Sequence, residues 1–97
     1  MRIYDKQIIK SLYGHNSEIT VVRYFRKNKI KDYILSCDFN NSVIIWDIQN
    51  NYNCNQKLEI REQYFGYIWD ALLLFNINKN NYILLSSDTI NVYSELY

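Results

Sequence analysis

The sequence predicts an all-β fold made of two units, each with four short antiparallel strands. β-Branched and aromatic residues occur in short runs separated by Asn, Asp, Ser and Lys, a pattern typical of many short strands. A triplet that combines an aliphatic, an aromatic and a polar residue also recurs along the chain. Because a recurrence every 20 to 50 residues or so indicates a repeat architecture, the two observations together predict stacked β-units.

The recurrence defines the two units. Ile3-Tyr4-Asp5 returns as Ile45-Trp46-Asp47 after 42 residues, and in a weaker form as Val92-Tyr93-Ser94 after 47 more. Tyr33-Ile34-Leu35-Ser36 corresponds in the same way to the segment 82–86. A second Trp-Asp pair, Trp69-Asp70, follows Trp46-Asp47 by only 23 residues, so we assign it to the first strand of the second unit.

Eight strands are predicted in chain order. Polar breakers separate most of them, including Gly14 with Asn16 and the runs 28–31, 38–42, 49–56 and 76–81. The predicted strands are Gln7–Leu12, Ile19–Phe25, Tyr33–Cys37, Val43–Asp47, Lys57–Arg61, Ile68–Phe75, Tyr82–Ser86 and Thr89–Tyr93.

Composition limits the classes of function. The chain has 97 residues, 48% of them hydrophobic, and 11 Lys and Arg against 10 Asp and Glu, so its net charge of +1 makes no overall case for nucleic acid or an anionic membrane. The longest uncharged apolar stretch, Ala71–Phe75, is too short to span a membrane, and the first ten residues do not have the apolar region of a secretory signal. We therefore expect a cytoplasmic protein in which Cys37 and Cys54 are reduced thiols, with no cofactor.

The order Gly14-His15, Ile19, Ser36 and Trp46-Asp47 resembles the WD-repeat family. That family has a Gly-His pair, a strand, a second strand ending in Ser, a tight turn containing Asp and a third strand ending in Trp-Asp, within four-stranded propeller blades. The resemblance implies a partial β-propeller of two four-stranded blades. Residues 1–12 would end a preceding blade, 13–61 would form a full repeat and 62–97 a second, degenerate repeat.

In WD repeats, His, Ser, Asp and Trp side chains form a hydrogen-bonded tetrad that locks the blade. The resemblance implies that His15 bonds a partner in the turn, that Ser36 bonds the imidazole and that the indole of Trp46 bonds Ser36. Asn40 stands where the family usually has Asp, so the amide is expected to take the acid's place. In the second unit Tyr64 replaces His and Tyr93 replaces Trp, which predicts a blade without a tetrad.

Two blades cannot close a ring, since propellers have roughly four to eight. Apolar strand positions in both units should then present open faces that a repeat protein normally buries against its neighbours. We therefore expect further blades or self-association. The residues expected to supply this surface are Ile44, Leu72, Leu74, Ile83 and Leu85.

Other chemistries have less support. His15 is the only histidine and has no Cys or carboxylate at metal-ligand spacing around it. A triad of Ser36, His15 and an Asp can be imagined, as can a Cys37 nucleophile, but neither has a Gly-rich elbow beside it. We expect no enzymatic activity and no metal site.

A basic cluster at residues 23–31 is the alternative binding site. It places five cations within nine residues, with aromatic residues between them, and could bind RNA or phosphoinositide headgroups. A solvated loop is the interpretation we favour, which leaves a protein-binding scaffold as the predicted function and nucleic acid as an unlikely partner. Tyr52 and Tyr64 are further candidate surface contacts. The cations are Arg23, Arg26, Lys27, Lys29 and Lys31.

Overall fold

The computed structural model of the chain describes residues 7–60, 67–77, 79–87 and 89–94. These residues form two antiparallel sheets, one of four strands and one of three, and their only helical element is a 3-10 turn at Ile48–Asn50. The first sheet contains β1 (Ile19–Asn28), β2 (Lys31–Asp38), β3 (Ser42–Asp47) and β4 (Asn53–Glu59) in that order. The second sheet contains β5 (Asp70–Ile77), β6 (Asn80–Ser86) and β7 (Ile90–Ser94). The predicted all-β class is confirmed.

Tight turns connect the strands of the first sheet. Lys29 and Ile30 link β1 to β2 as a two-residue hairpin turn, and the amide of Ile30 donates to the Asn28 side chain at 2.9 Å. The β2–β3 and β3–β4 turns contain Asn41 and Asn51 in left-handed conformations, which asparagine tolerates better than most residues. In these two turns asparagine therefore occupies left-handed positions that glycine often occupies in other proteins.

One hydrophobic core lies between the two sheets. Strand alternation directs Leu35 and Ile45 from the first sheet, and Ile83 and Leu85 from the second, into the same buried cluster. Ile68, which precedes β5, is completely buried there. The two sheets approach each other most closely along β1 and β5.

Three strand predictions need correction. Gln7–Leu12 is not a strand: Ile8 and Ile9 are 83% and 92% exposed, and no strand in the described residues pairs with the segment. The strand predicted at Lys57–Arg61 begins earlier and is β4, Asn53–Glu59, because the turn at 48–52 reverses the chain at once and pairs Asp47 with Asn53. Arg61 lies outside the described residues. The described part of the second unit has three strands where four were predicted.

Other predictions agree with the structure or stay open. Asp70 begins β5, so Trp69-Asp70 does stand at the first strand of the second unit. The two sheets fall within the predicted units 13–61 and 62–97, whose boundaries stay predictions. Of the expected surface residues, Leu72 and Leu74 are exposed, but Ile44, Ile83 and Leu85 are buried.

Candidate functional site: a buried polar relay and the surfaces around it

A chain of side-chain hydrogen bonds crosses the first sheet and joins β3, β2 and the segment before β1. The indole N–H of Trp46 donates to Ser36 Oγ at 2.9 Å, and Ser36 Oγ lies 2.5 Å from Nε2 of His15. The other ring nitrogen of His15, Nδ1, lies 2.7 Å from Oδ2 of Asp38. A carboxylate can only accept, so the network assigns the proton to Nδ1, and in that neutral tautomer Nε2 accepts from the Ser36 hydroxyl. We call these four residues the polar relay.

The acid of the relay is Asp38, so the assignment of that place to Asn40 was wrong. Asp38 is 1% exposed, and its second oxygen, Oδ1, accepts the backbone N–H groups of Asn40 at 2.9 Å and of Ser42 at 3.1 Å. Asn40 itself is exposed. The available signal was an aspartate at the end of a strand and directly before a turn, where its side chain commonly bonds the backbone two residues on.

Close packing keeps water out of the relay. Ser36, Asp38 and Trp46 are buried, and the side chain of His15 is 5% exposed. Gly14 lies against Trp46 so closely that a Cβ there would stand 2.9 Å from Ile44 Cδ1 and 3.2 Å from Trp46 Cη2. The Gly-His pair therefore combines a residue without a side chain, which permits the approach, with one that makes the polar bonds.

The relay connects the same residue types as a Ser-His-Asp catalytic triad, but its surroundings suit a structural role. A nucleophilic serine must reach a substrate, whereas Ser36 is buried and its oxygen already accepts the Trp46 indole. Cys37 is no better as a nucleophile, because burial, followed by the charges of Asp38 and Asp70, raises the pKa of its thiol to about 12. What the relay can do is hold two strands, a turn and an N-terminal segment in one arrangement.

The five cations at residues 23–31 do not form one charged patch. Arg23 makes two parallel bonds to Asp70 across the sheets, Nε to Oδ1 at 3.0 Å and Nη2 to Oδ2 at 2.9 Å. These bonds, with the Ala71 amide, hold the pKa of Asp70 below its usual range. Lys31 is paired with Asp47 at 3.2 Å, so two of the five charges are already matched.

The remaining three cations point in different directions. Lys27 lies over the ring of Phe75, 5.9 Å from its centroid, on the side of the second sheet. Arg26 alternates to the other face of β1, where its Nε donates to the carbonyl of Asn28 at 3.2 Å. Lys29 is exposed in the hairpin turn.

A junction between the sheets was not foreseen from the sequence. Asn41, in the left-handed conformation, accepts the Ile68 amide on its side-chain oxygen at 3.3 Å and the Ile60 amide on its carbonyl at 3.0 Å. The hydroxyl of Thr20 lies between two carbonyls, 3.3 Å from that of Cys37 and 3.4 Å from that of Ile68, and its one hydrogen is shared between them. Both backbone groups of the buried Ile68 thus face polar side chains of the first sheet, which sequence alone could not pair with it.

The tyrosines singled out in the sequence lie in different parts of the chain. Tyr52 is half-buried in the β3–β4 turn with a φ of 57°. Tyr64 lies outside the described residues. Tyr93 corresponds to Trp46 in the register, because it faces Ile83 as Trp46 faces Ile34. Tyr93 packs on the core between the sheets, and Trp46 points away from that core, towards Ser36.

The described residues contain no cluster of three or more potential metal ligands, and no helix among them has the length and apolar character needed to cross a bilayer. Comparisons of the chain with protein-family models, with curated proteins and with solved structures found no match.

Proposed function

We propose that this chain forms two neighbouring blades of a WD-repeat-type β-propeller and acts as a non-catalytic scaffold that binds other proteins. The polar relay is the observation that carries the proposal. Trp46, Ser36 and His15 were expected to bond one another from their order in the sequence, and they do so at 2.9 and 2.5 Å, with Asp38 completing the tetrad. A buried network that satisfies each of its members fixes one arrangement of the blade.

The relation between the sheets supports the same architecture. Three contacts join β1 to β5 and the residue before it, and the residue numbers rise along both segments. They are Thr20 with Ile68, Arg23 with Asp70, and Lys27 with Phe75. The first strands of the two sheets therefore run side by side in the same direction. Blades arranged around a common axis place their first strands in this way.

The outer face of the second sheet supports association with a further blade. Leu72, Ile90 and Val92 are exposed there, and Leu72 and Ile90 line a hollow of about 140 Å³ together with Leu84. Both faces of the second sheet carry apolar side chains, but only the inner face is buried, against the first sheet. We propose that a second copy of the chain covers the outer face, because burial of apolar surface drives association.

Multi-angle light scattering across a concentration series tests this association. The native chain should self-associate at micromolar concentration, and Ile90→Lys should shift it towards monomer because a charge would be buried in the contact. Ile30→Lys is the matched control, since Ile30 is 73% and Ile90 72% exposed but Ile30 lies in the β1–β2 turn. A native chain that stays a monodisperse monomer would overturn the proposed association.

The absence of catalysis is tested at the serine that resembles a nucleophile. A fluorophosphonate probe should leave Ser36 unmodified in the folded chain, since its oxygen is buried and accepts the indole N–H of Trp46. Covalent labelling that disappears in Ser36→Ala would instead assign a hydrolytic activity.

Binding of nucleic acid or phosphoinositides through residues 23–31 is the less favoured alternative. The ion pairs of Arg23 and Lys31 and the division of the cluster between two faces leave little charge for phosphates. A salt titration separates the alternatives, because phosphate contacts weaken steeply as salt rises. Tight, salt-sensitive binding of a single-stranded oligonucleotide would favour the alternative.

A further inference from the structure

Three exposed aromatic side chains stand in a row at the end of the molecule where β1 and β5 begin. Phe39 comes from the β2–β3 turn, and Tyr67 and Trp69 come from the segment that leads into β5. The Phe39 and Tyr67 rings are 5.4 Å apart at 83°, and the Tyr67 and Trp69 rings are 6.1 Å apart at 75°. We call Phe39, Tyr67 and Trp69 the aromatic row.

The backbone holds the row outside the core. Ile68 is buried and bonded to Asn41 and Thr20, and strand alternation on either side of it directs Tyr67 and Trp69 outward. The Trp69 amide donates to the Ser86 carbonyl at 2.9 Å, which ties the segment to the second sheet as well. Trp69 is nevertheless 64% exposed. Large rings held rigidly but left in solvent are what recognition surfaces provide, because little conformational entropy remains to be lost on binding.

The charges near the row favour a cationic partner. The Phe39 amide donates to the Glu18 carbonyl at 3.0 Å, so exposed Glu18 lies next to the row. The ion pairs among the described residues involve Asp38, Asp47, Glu59 and Asp70, and not Glu18. Four lysines are at the other end of the sheets, namely Lys27, Lys29, Lys31 and Lys79. Lys57 is nearer to the row, but it donates to the Gly14 carbonyl at 3.2 Å and lies 4.0 Å from Glu59.

We propose that the aromatic row binds a peptide segment of a partner protein through its lysine or arginine side chains. A cation is attracted to the face of an aromatic ring within about 6 Å of its centroid, and acidic Glu18 is bonded through its backbone to Phe39 of the row. Single-stranded nucleic acid also stacks on exposed rings, but its phosphates would face a carboxylate here, with the lysines at the far end. The inference rests on the proposed function, for which it names the chemistry of the partner.

Fluorine NMR of 5-fluorotryptophan-labelled protein tests the proposal, because one of the two tryptophans is in the row and the other is in the buried relay. Trp69→Phe assigns the two resonances. The probes are short Gly/Ser peptides that carry lysine, norleucine or glutamate at the same positions, and an oligouridine. We expect the lysine peptide to move the Trp69 resonance saturably and to leave the Trp46 resonance in place, while norleucine, glutamate and oligouridine move neither.

Variants next to Trp69 sharpen the test. Tyr67→Ala should weaken binding of the lysine peptide by about 2- to 5-fold, the size of one cation–π contact at an exposed site. Glu18→Gln should weaken it by up to about 5-fold, the size of one exposed ion pair. Tyr24→Ala, which removes a 59% exposed ring from the middle of β1, should not change the affinity. An unmoved Trp46 resonance in each variant establishes that the first sheet is still folded.

The results that would contradict binding by the aromatic row differ from those that would contradict the proposed function. If no peptide moves Trp69, if norleucine moves it as far as lysine, or if oligouridine moves it instead, the row does not recognise cationic peptides. With the Trp46 resonance unchanged, each of these results would leave the proposed blade architecture standing. The proposed association fails separately, in the light-scattering experiment, and the proposed absence of catalysis fails in the fluorophosphonate experiment.

Discussion

Removal of the Asp38 carboxylate should be among the most destabilising single changes in the chain. Its two oxygens accept from His15 at 2.7 Å and from the amides of Asn40 and Ser42 at 2.9 and 3.1 Å, and the residue is 1% exposed. Asp38→Ala leaves these three donors without an acceptor. A buried donor that loses its partner costs about 1–3 kcal/mol, but the turn amides can recover some hydration, so we expect a loss of about 3–5 kcal/mol.

Asp38→Asn should fall between the native chain and Asp38→Ala. The amide has nearly the same shape but only one acceptor oxygen, so it can serve either the imidazole or the turn amides and should cost about 1–3 kcal/mol. Urea denaturation followed by circular dichroism gives these free energies of unfolding. Asn40→Ala is the control, because Asn40 is exposed and contributes its backbone amide, which alanine retains, to the bond with Asp38. An Asn40→Ala loss as large as that of Asp38→Ala would refute the assignment of Asp38 as the relay acid.

Three further predictions concern the relay, the sheet junction and the thiols. Trp46→Ala should cost about 3–5 kcal/mol in the same denaturation assay, as usual for loss of a large buried side chain, while Trp46→Phe should cost about 1 kcal/mol or more by leaving one hydrogen bond unmade. Because Asp70 has a lowered pKa in the folded chain, its pairing with Arg23 stabilises the protein above the usual aspartate pKa and is lost as pH falls through the lowered value. Urea midpoints over an acid pH series should therefore fall less steeply for Arg23→Ala than for the native chain, from a lower starting value. Iodoacetamide at neutral pH should modify exposed Cys54 but not buried Cys37, which should react only in denaturant. Mass spectrometry measures the modification, and equal modification of the two thiols in the native chain would contradict the burial of Cys37.

The sequence was informative about the positions and the alignment of the strands, but it did not identify which strand-forming segments find a partner. Short apolar runs located β1, β2, β3, β5, β6 and β7 because local composition determines where a strand can form. Alignment of Val92-Tyr93-Ser94 with Ile45-Trp46-Asp47 agrees with the strand pairing, in which Tyr93 faces Ile83 as Trp46 faces Ile34. Gln7–Leu12 has strand-forming residues but no partner among the described strands, and composition alone does not provide one.

For the relay, the sequence identified three of the four residues, and the path of the backbone was needed to identify the fourth. His15, Ser36 and Trp46 could be named because their order in the sequence resembles the WD-repeat pattern. The acid could not, because Asp38 and Asn40 both belong to the turn and only the path of the backbone decides which one reaches the imidazole. The Arg23–Asp70 pair lies beyond any sequence rule, since it depends on how two sheets pack.

The relay and the aromatic row are linked through the β2–β3 turn. Asp38 fixes that turn through the amides of Asn40 and Ser42, and the turn carries Phe39 at its tip. Asn41, in the same turn, accepts the amide of Ile68 at 3.3 Å, so the position of the flanking rings at 67 and 69 depends on the turn as well. A buried network with no access to a ligand thus determines the spacing of the exposed rings. Because rigid positioning of the rings is what limits the entropy lost on binding, the relay that stabilises the first sheet would also set the affinity of the surface above it.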